Sequence, residues 1–215
     1  YEKKEYRSFN EFFTRKIIPE KRPIPKDKNI LISVADSKLR CYKIEENLSI
    51  KIKNSIYTVE ELLGDKELAE EFRNGICLVF RLTIDDYHRY CYFDDGRLLR
   101  RKYIDGKLHT VRPVSEKRHK VYCENFREYS LLFTENFGKV VQMEVGALLV
   151  GKIVNMEKLK FKKGEEKGWF ELGGSTILLF FAENTVNIDK DIISNSYKGI
   201  ETKVKYGERI GEKIC

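Results

Sequence analysis

Apolar and polar positions alternate through much of the chain in short runs. Leu39-Arg40-Cys41-Tyr42-Lys43-Ile44 and Leu48–Ile52 carry the two-residue period of half-buried strands. Ile76–Leu82 is continuous enough for a buried strand. Tyr129–Thr134, Val140–Val145, Ala147–Ile153 and Thr176–Phe181 predict four more. Turn strings such as Asp94-Asp95-Gly96 and Ile104-Asp105-Gly106 separate them. Helical spacing is confined to the first third. Ser8-Phe9-Asn10-Glu11 is a capping box followed by Phe12 and Phe13, and that helix ends before Pro19. Thr58-Val59-Glu60-Glu61 is a second box, opening onto Leu62 and Leu63. A third short helix is predicted over Glu67–Phe72. The expected fold is α+β and mostly β, a barrel or sandwich of short strands with a few short helices near the N-terminus. A chain of 215 residues makes this one domain, 1–215, with a sizeable core.

Composition narrows the partners. The longest apolar runs fall far short of a membrane-spanning helix. The chain opens on Tyr1 rather than Met, so it reads as a piece of a longer chain. The net charge is +7, yet residues 175–215 hold six Lys/Arg and six Asp/Glu, so the excess lies in residues 1–174. That suits an anionic lipid surface. Acids are interleaved with the bases nearly everywhere, which argues against nucleic acid. Five scattered cysteines without a CxxC imply free thiols in a reducing compartment, and no metal site is expected.

Four places could carry chemistry. Gly173-Gly174-Ser175-Thr176 hands a hydroxyl to the apolar run Ile177–Ala182. It reads as a hairpin turn or as a nucleophile on a flexible bend. His88, in Asp85-Asp86-Tyr87-His88-Arg89-Tyr90, follows a strand; alone it reads as a histidine paired with a carboxylate. His109 lies on a predicted strand, and His119 in a basic loop is expected to be solvated. Asp36, in Val34-Ala35-Asp36-Ser37, ends an apolar run and could orient a histidine or cap a turn.

The ordered strings say more than any one of them. SFNEFFTRKIIPEKRPI, VADSKL, DYHRY, ENFREYS, TENFGKVVQMEVGALLVGKI, KGEEKGWFELGGST and GIETKVKYGERIG together resemble the pyruvoyl-dependent phosphatidylserine decarboxylase family over residues 5–211. The resemblance implies self-cleavage between Gly174 and Ser175, giving a β subunit (1–174) and an α subunit (175–215). The Ser175 hydroxyl would attack the Gly174 carbonyl with a histidine as base. The ester would eliminate to dehydroalanine, and hydrolysis would leave a pyruvoyl group at Ser175. That group would serve as the electron sink for decarboxylating phosphatidylserine to phosphatidylethanolamine. His88 would be the acid that reprotonates the product, and Asp36 the carboxylate of the processing relay. The resemblance further implies a dimer of αβ units, peripheral on the cytoplasmic face of the cell membrane.

Two strings depart from the family pattern. Tyr-His-Arg-x-His becomes Tyr87-His88-Arg89-Tyr90-Cys91, placing Cys91 at the relay position, and Pro-Ala-Asp-Gly becomes Val34-Ala35-Asp36-Ser37. A thiol near its ordinary pKa of about 8.5 is a mediocre base at neutral pH. Three resolutions stay open: His109 takes over the relay, His88 serves both steps, or the chain does not process. Of these, His109 is the first candidate. The alternative functions are an unprocessed lipid-binding relative, and the same pyruvoyl chemistry on another amino-acid-bearing substrate.

Overall fold

Short elements follow one another without a long helix, as the short apolar runs require. The computed structural model describes residues 5–52, 55–107, 120–146, 152–156, 158–171 and 175–214. The first half contains α1 (Phe9–Phe13), β1 (Ile30–Ile32), β2 (Ser37–Lys43), β3 (Ser49–Ile52), β4 (Ser55–Thr58), α2 (Val59–Leu63), α3 (Lys66–Glu70), β5 (Ile76–Leu82), β6 (Arg89–Cys91) and β7 (Gly96–Ile104). The second contains α4 (Val121–Glu124), β8 (Arg127–Thr134), β9 (Gly138–Val145), β10 (Lys152–Asn155), β11 (Lys160–Phe161), β12 (Glu166–Glu171), β13 (Ser175–Phe181), β14 (Val186–Ile188), α5 (Lys190–Tyr197), β15 (Thr202–Val204) and β16 (Arg209–Lys213).

Both predicted capping motifs cap a helix. Ser8 Oγ accepts from Glu11 N at 3.1 Å, while the Glu11 carboxylate accepts from Arg7 N at 2.8 Å. Thr58 and Glu61 form the full reciprocal box, and Gly64 in the left-handed region (φ 57°) stops α2 after one turn and a half.

An eight-stranded antiparallel sheet in the order β11-β7-β8-β9-β13-β5-β2-β15 organises the molecule. Alternate residues of its central strands feed two cores. On one face Leu39, Leu78, Phe80, Leu82, Ile177, Leu179 and Phe181 pack under the sheets β10-β12-β6 and β1-β16-β14. On the other face Cys77, Val79, Val141, Met143, Leu178 and Phe180 pack under the β3–β4 hairpin and α2, α3 and α4. The fold is thus mostly β and sandwich-like. The large sheet ends at β11 and β15, so among the described residues it does not close into a barrel. The helices also extend beyond the N-terminal third: α5 lies late in the chain and packs on β2. Only Ile192 of α5 is buried, so its apolar periodicity is weak.

One buried cation ties the helical layer to the sheet. The Arg127 guanidinium, at the start of β8, donates to the carbonyls of Glu61 (2.9 Å), Leu62 (2.8 Å), Cys123 (2.5 Å) and Asn125 (3.0 Å). These are the C-terminal carbonyls of α2 and α4, which lack intrahelical donors and carry the negative end of each helix dipole. Arg127→Leu is expected to cost about 3 kcal/mol or more, because it orphans several buried acceptors at once. A urea midpoint equivalent to a loss below about 1 kcal/mol would refute this role.

Candidate active site

Ser175 is the first residue of β13, opposite Leu82 of β5, and is wholly buried. Its Oγ has no hydrogen-bond partner among the described residues, and neither has Thr176 Oγ1 on the opposite face. An unpaired buried hydroxyl costs roughly 1–3 kcal/mol, and Ser37 and Ser130 carry others of the same kind, so it is the place of Ser175 at the head of β13 that sets it apart.

His88 reaches the same end of the sheet by two routes. β5 ends at Leu82, Ser175's partner, and a tight turn through Thr83 and Asp86 leads directly to His88. On the other side, the His88 carbonyl accepts from Phe170 N of β12 at 3.0 Å, five residues before Ser175. The turn is braced by the Asp86 carboxylate, which accepts from Thr83 N (2.7 Å) and Lys38 Nζ (2.7 Å). That bracing aims the Asp86 carbonyl at His88 Nδ1, 3.0 Å away. A carbonyl only accepts, so Nδ1 carries a proton and Nε2 is the nitrogen left to accept one. The ring is fully buried, with the Phe13 ring 4.0 Å away between centroids. Phe13 is delivered by α1, which is anchored by Arg89 Nε donating to Thr14 O (2.7 Å) and Ile17 N donating to Tyr87 Oη (3.2 Å).

Asp36 and Cys91 meet around Tyr206. Asp36 Oδ1 accepts from Arg22 Nε (3.0 Å) and from Tyr206 N (2.7 Å), and Oδ2 accepts from Arg22 (2.5 Å). The Tyr206 hydroxyl donates to Gly164 O at 2.9 Å, and the Tyr206 and Tyr87 rings lie 6.1 Å apart. Cys91 N donates to Val34 O at 3.0 Å. Burial pushes the Cys91 thiol up to about 12, with a smaller opposing pull from the Tyr206 hydroxyl. It therefore stays protonated at neutral pH and takes no proton from a serine. Gly174, His109 and His119 lie outside the described residues.

Comparison with protein-family models matches residues 9–212 to phosphatidylserine decarboxylase. Phosphatidylserine decarboxylase proenzyme 2 of Clostridium acetobutylicum is 63% identical over 212 residues, covering 99% of this chain and 73% of that protein. The proenzyme of Clostridium tetani is 46% identical, covering 98% of this chain and 72% of that protein, and that of Clostridium perfringens is 43% identical, covering 97% and 72%. The chain belongs to the phosphatidylserine decarboxylase family.

Phosphatidylserine decarboxylases are in general terms pyruvoyl enzymes, and the residues here fit such a group. A pyruvoyl group derived from Ser175 would occupy a dry position at the head of a rigid strand, where the serine hydroxyl is now unpartnered among the described residues. Those residues hold no cluster of three His, Cys, Asp or Glu arranged for a metal ion. Phe13, Arg22 and Tyr206 emerge as site residues only in three dimensions. Their strings SFNEFFTR, EKRPI and KVKYGERIG belong to the family-like set, but nothing in the strings says which side chain turns inward.

Burial also raises Cys41 and Cys123 to about 12 and Cys77 well above its ordinary value. Iodoacetamide at neutral pH should therefore leave Cys41, Cys77, Cys91 and Cys123 unmodified in the native protein and label them after unfolding. Rapid native labelling of Cys91 would contradict the buried, protonated thiol.

Proposed function

We propose that this phosphatidylserine decarboxylase is made as a proenzyme that cuts itself before Ser175, and that residues 175–215 then carry a pyruvoyl group at their new N-terminus. The observation that carries the reading is the buried Ser175 hydroxyl, unpartnered among the described residues, at the head of β13 in a chain of this family. Ser175 Oγ attacks the Gly174 carbonyl, and the amide nitrogen leaves as the amine while an ester forms. Elimination releases the Gly174 carboxylate, and water then displaces ammonia. The Gly-Gly sequence before Ser175 removes the Cβ atoms that would crowd the attack.

His88 is the base of this cut. Its Nε2 lone pair takes the hydroxyl proton, while the Asp86 carbonyl holds Nδ1–H and fixes the tautomer. The Phe13 ring covers the imidazole and holds its plane. The same nitrogen, protonated, later returns a proton to the substrate carbon that has lost carbon dioxide. This gives His88 both steps and leaves Asp36 to anchor Arg22 and Tyr206. A pyruvoyl group supplies the electron sink for loss of the carboxylate from phosphatidylserine. After the cut, residues 175–215 stay bound as the α partner, because β13 is paired on both sides and buried throughout.

The membrane contact is through α1. Phe9 and Phe12 are 61% and 43% exposed, with Arg15 over the Phe12 ring, while Phe13 of the same helix turns inward onto His88. Aromatic side chains beside cations suit an anionic lipid interface. No helix among the described residues is long and apolar enough to cross a membrane. We place this part of the enzyme on the cytoplasmic face of the membrane, where its thiols stay reduced.

Two variants test the chemistry. Ser175→Ala should stay a single chain on a denaturing gel and release no carbon dioxide from phosphatidylserine vesicles. His88→Ala should cut at least about 100-fold more slowly. His88→Ala that cuts at the parental rate would transfer the base to another residue, and an uncut, inactive parent would sink the reading. A Phe9→Ser/Phe12→Ser double variant should bind anionic vesicles at least about tenfold more weakly while still cutting itself, since each ring contributes about 1 kcal/mol or more at the interface. Unchanged vesicle binding would refute the α1 contact.

A further inference from the structure

The chain changes layers between β12, which ends at Glu171, and β13, which starts at Ser175. β12, upstream, pairs with β10 and β6 in the small sheet, whereas β13, downstream, pairs with β5 and β9 in the large one. Packed sheets stand about 10 Å apart. The two sides of the scissile bond are therefore held by different sheets, and a slip of β12 by one residue would move its end by about 3.3 Å. β12 is paired on both sides, so such a slip carries the small sheet as a unit past the large one, and the apolar contacts between the layers have no direction of their own to set its place.

A single carboxylate supplies direction. Glu144 of β9 stands opposite Ile177, two residues along β13 from Ser175 on the same sheet face. Its Oε2 accepts from Lys167 Nζ of β12 at 2.7 Å and from Asn155 Nδ2 of β10 at 3.1 Å. Asn155 Oδ1 in turn accepts from Lys167 Nζ (2.8 Å) and from the Tyr90 hydroxyl of β6 (3.1 Å). Each strand of the small sheet thus sends one polar side chain into a network centred on Glu144. The Glu144 and Lys167 side chains are both fully buried.

We propose that the Glu144–Lys167 pair is a positioning device that sets the register of β12 against β13, and so fixes where the upstream side of the scissile bond is delivered to Ser175. A one-residue slip would leave both charges buried and unpaired, which an apolar interface would not penalise. A buried ion pair is a poor source of net stability, because desolvation offsets the attraction, and specificity of register is the use such pairs serve best. Burial pushes Glu144 up and Lys167 down, and each partner's charge opposes the other's shift. The pair lies eight residues upstream of Ser175 in sequence on one side and directly beside β13 on the other, so the constraint acts across the bond.

The inference rests on the self-cleavage reading, and the test separates the two. Lys167→Met/Glu144→Leu removes both partners and leaves an apolar contact of similar volume. In the parental background this double variant should unfold cooperatively near the parental midpoint yet cut itself at least about tenfold more slowly, as misplacement at a reacting bond does. In a Ser175→Ala background, which cannot cut, amides of Lys152–Asn155 and Glu166–Glu171 should exchange at least about tenfold faster while those of Ser175–Phe181 keep their protection. Cutting at the parental rate, unchanged exchange in β10 and β12, or loss of cooperative folding each overturns the positioning role. A parent that never cuts, with the exchange result as expected, would instead remove the self-cleavage reading and leave the register role standing.

Discussion

β13 runs through the middle of the large sheet with β9 on one side and β5 on the other, and every residue from Ser175 to Phe181 is buried. Its odd-numbered residues after Ser175 belong to one core and Leu178 and Phe180 to the other, so both layers of the molecule are built against it. A strand this constrained cannot shift without breaking two ladders and two cores. Its first residue therefore has a fixed position, and that position holds a serine hydroxyl with no structural use among the described residues. The rest of the site is arranged around this fact: the braced turn that brings in His88, the aromatic cover from α1, and the polar network that keys the second sheet to β9.

The same constraint would keep the two pieces of a chain cut before Ser175 together. Residues 175–215 contain β13, the late strands β14, β15 and β16, and α5. β15 pairs with β2, and β1 and β14 flank β16, so the C-terminal segment is interleaved with the rest. Tyr206, from this segment, bonds Asp36 through its backbone, and Arg22 completes that contact from the other side. Cutting one bond leaves all of these ladders intact. The chemistry at Ser175 can therefore depend on groups contributed by both sides of the cut.

Where apolar pattern and burial coincide, the sequence is a sound guide. Ile76–Leu82 forms over the predicted residues, and Thr176–Phe181 is exceeded only by Ser175 itself. Both capping motifs stand at helix starts, because a side-chain oxygen offered to a free N–H is a local interaction that needs no tertiary context. The missed elements fail for identifiable reasons. β12 carries a buried lysine, and a lysine reads as surface until its carboxylate partner is known. β7 mixes three arginines and a lysine into nine residues and bulges between Leu98 and Arg100, so its period is broken. In the candidate site, the sequence singles out Ser175 and His88 by their strings, and the fold brings both to one end of the large sheet. The grip of Arg22 and Tyr206 on Asp36 was not, because it joins residues up to 170 positions apart. Cys91 was legible as a departure from the family pattern, but only its burial shows that the thiol is held protonated.

The central claim is that the buried Ser175 is the precursor of the reactive group. Denaturing intact-mass spectrometry of the purified protein tests it most directly. The account predicts two chains, residues 1–174 and 175–215, with the smaller lighter than its sequence mass by the elements of ammonia. A single uncut chain, or a 175–215 fragment whose N-terminal serine is intact, would contradict it.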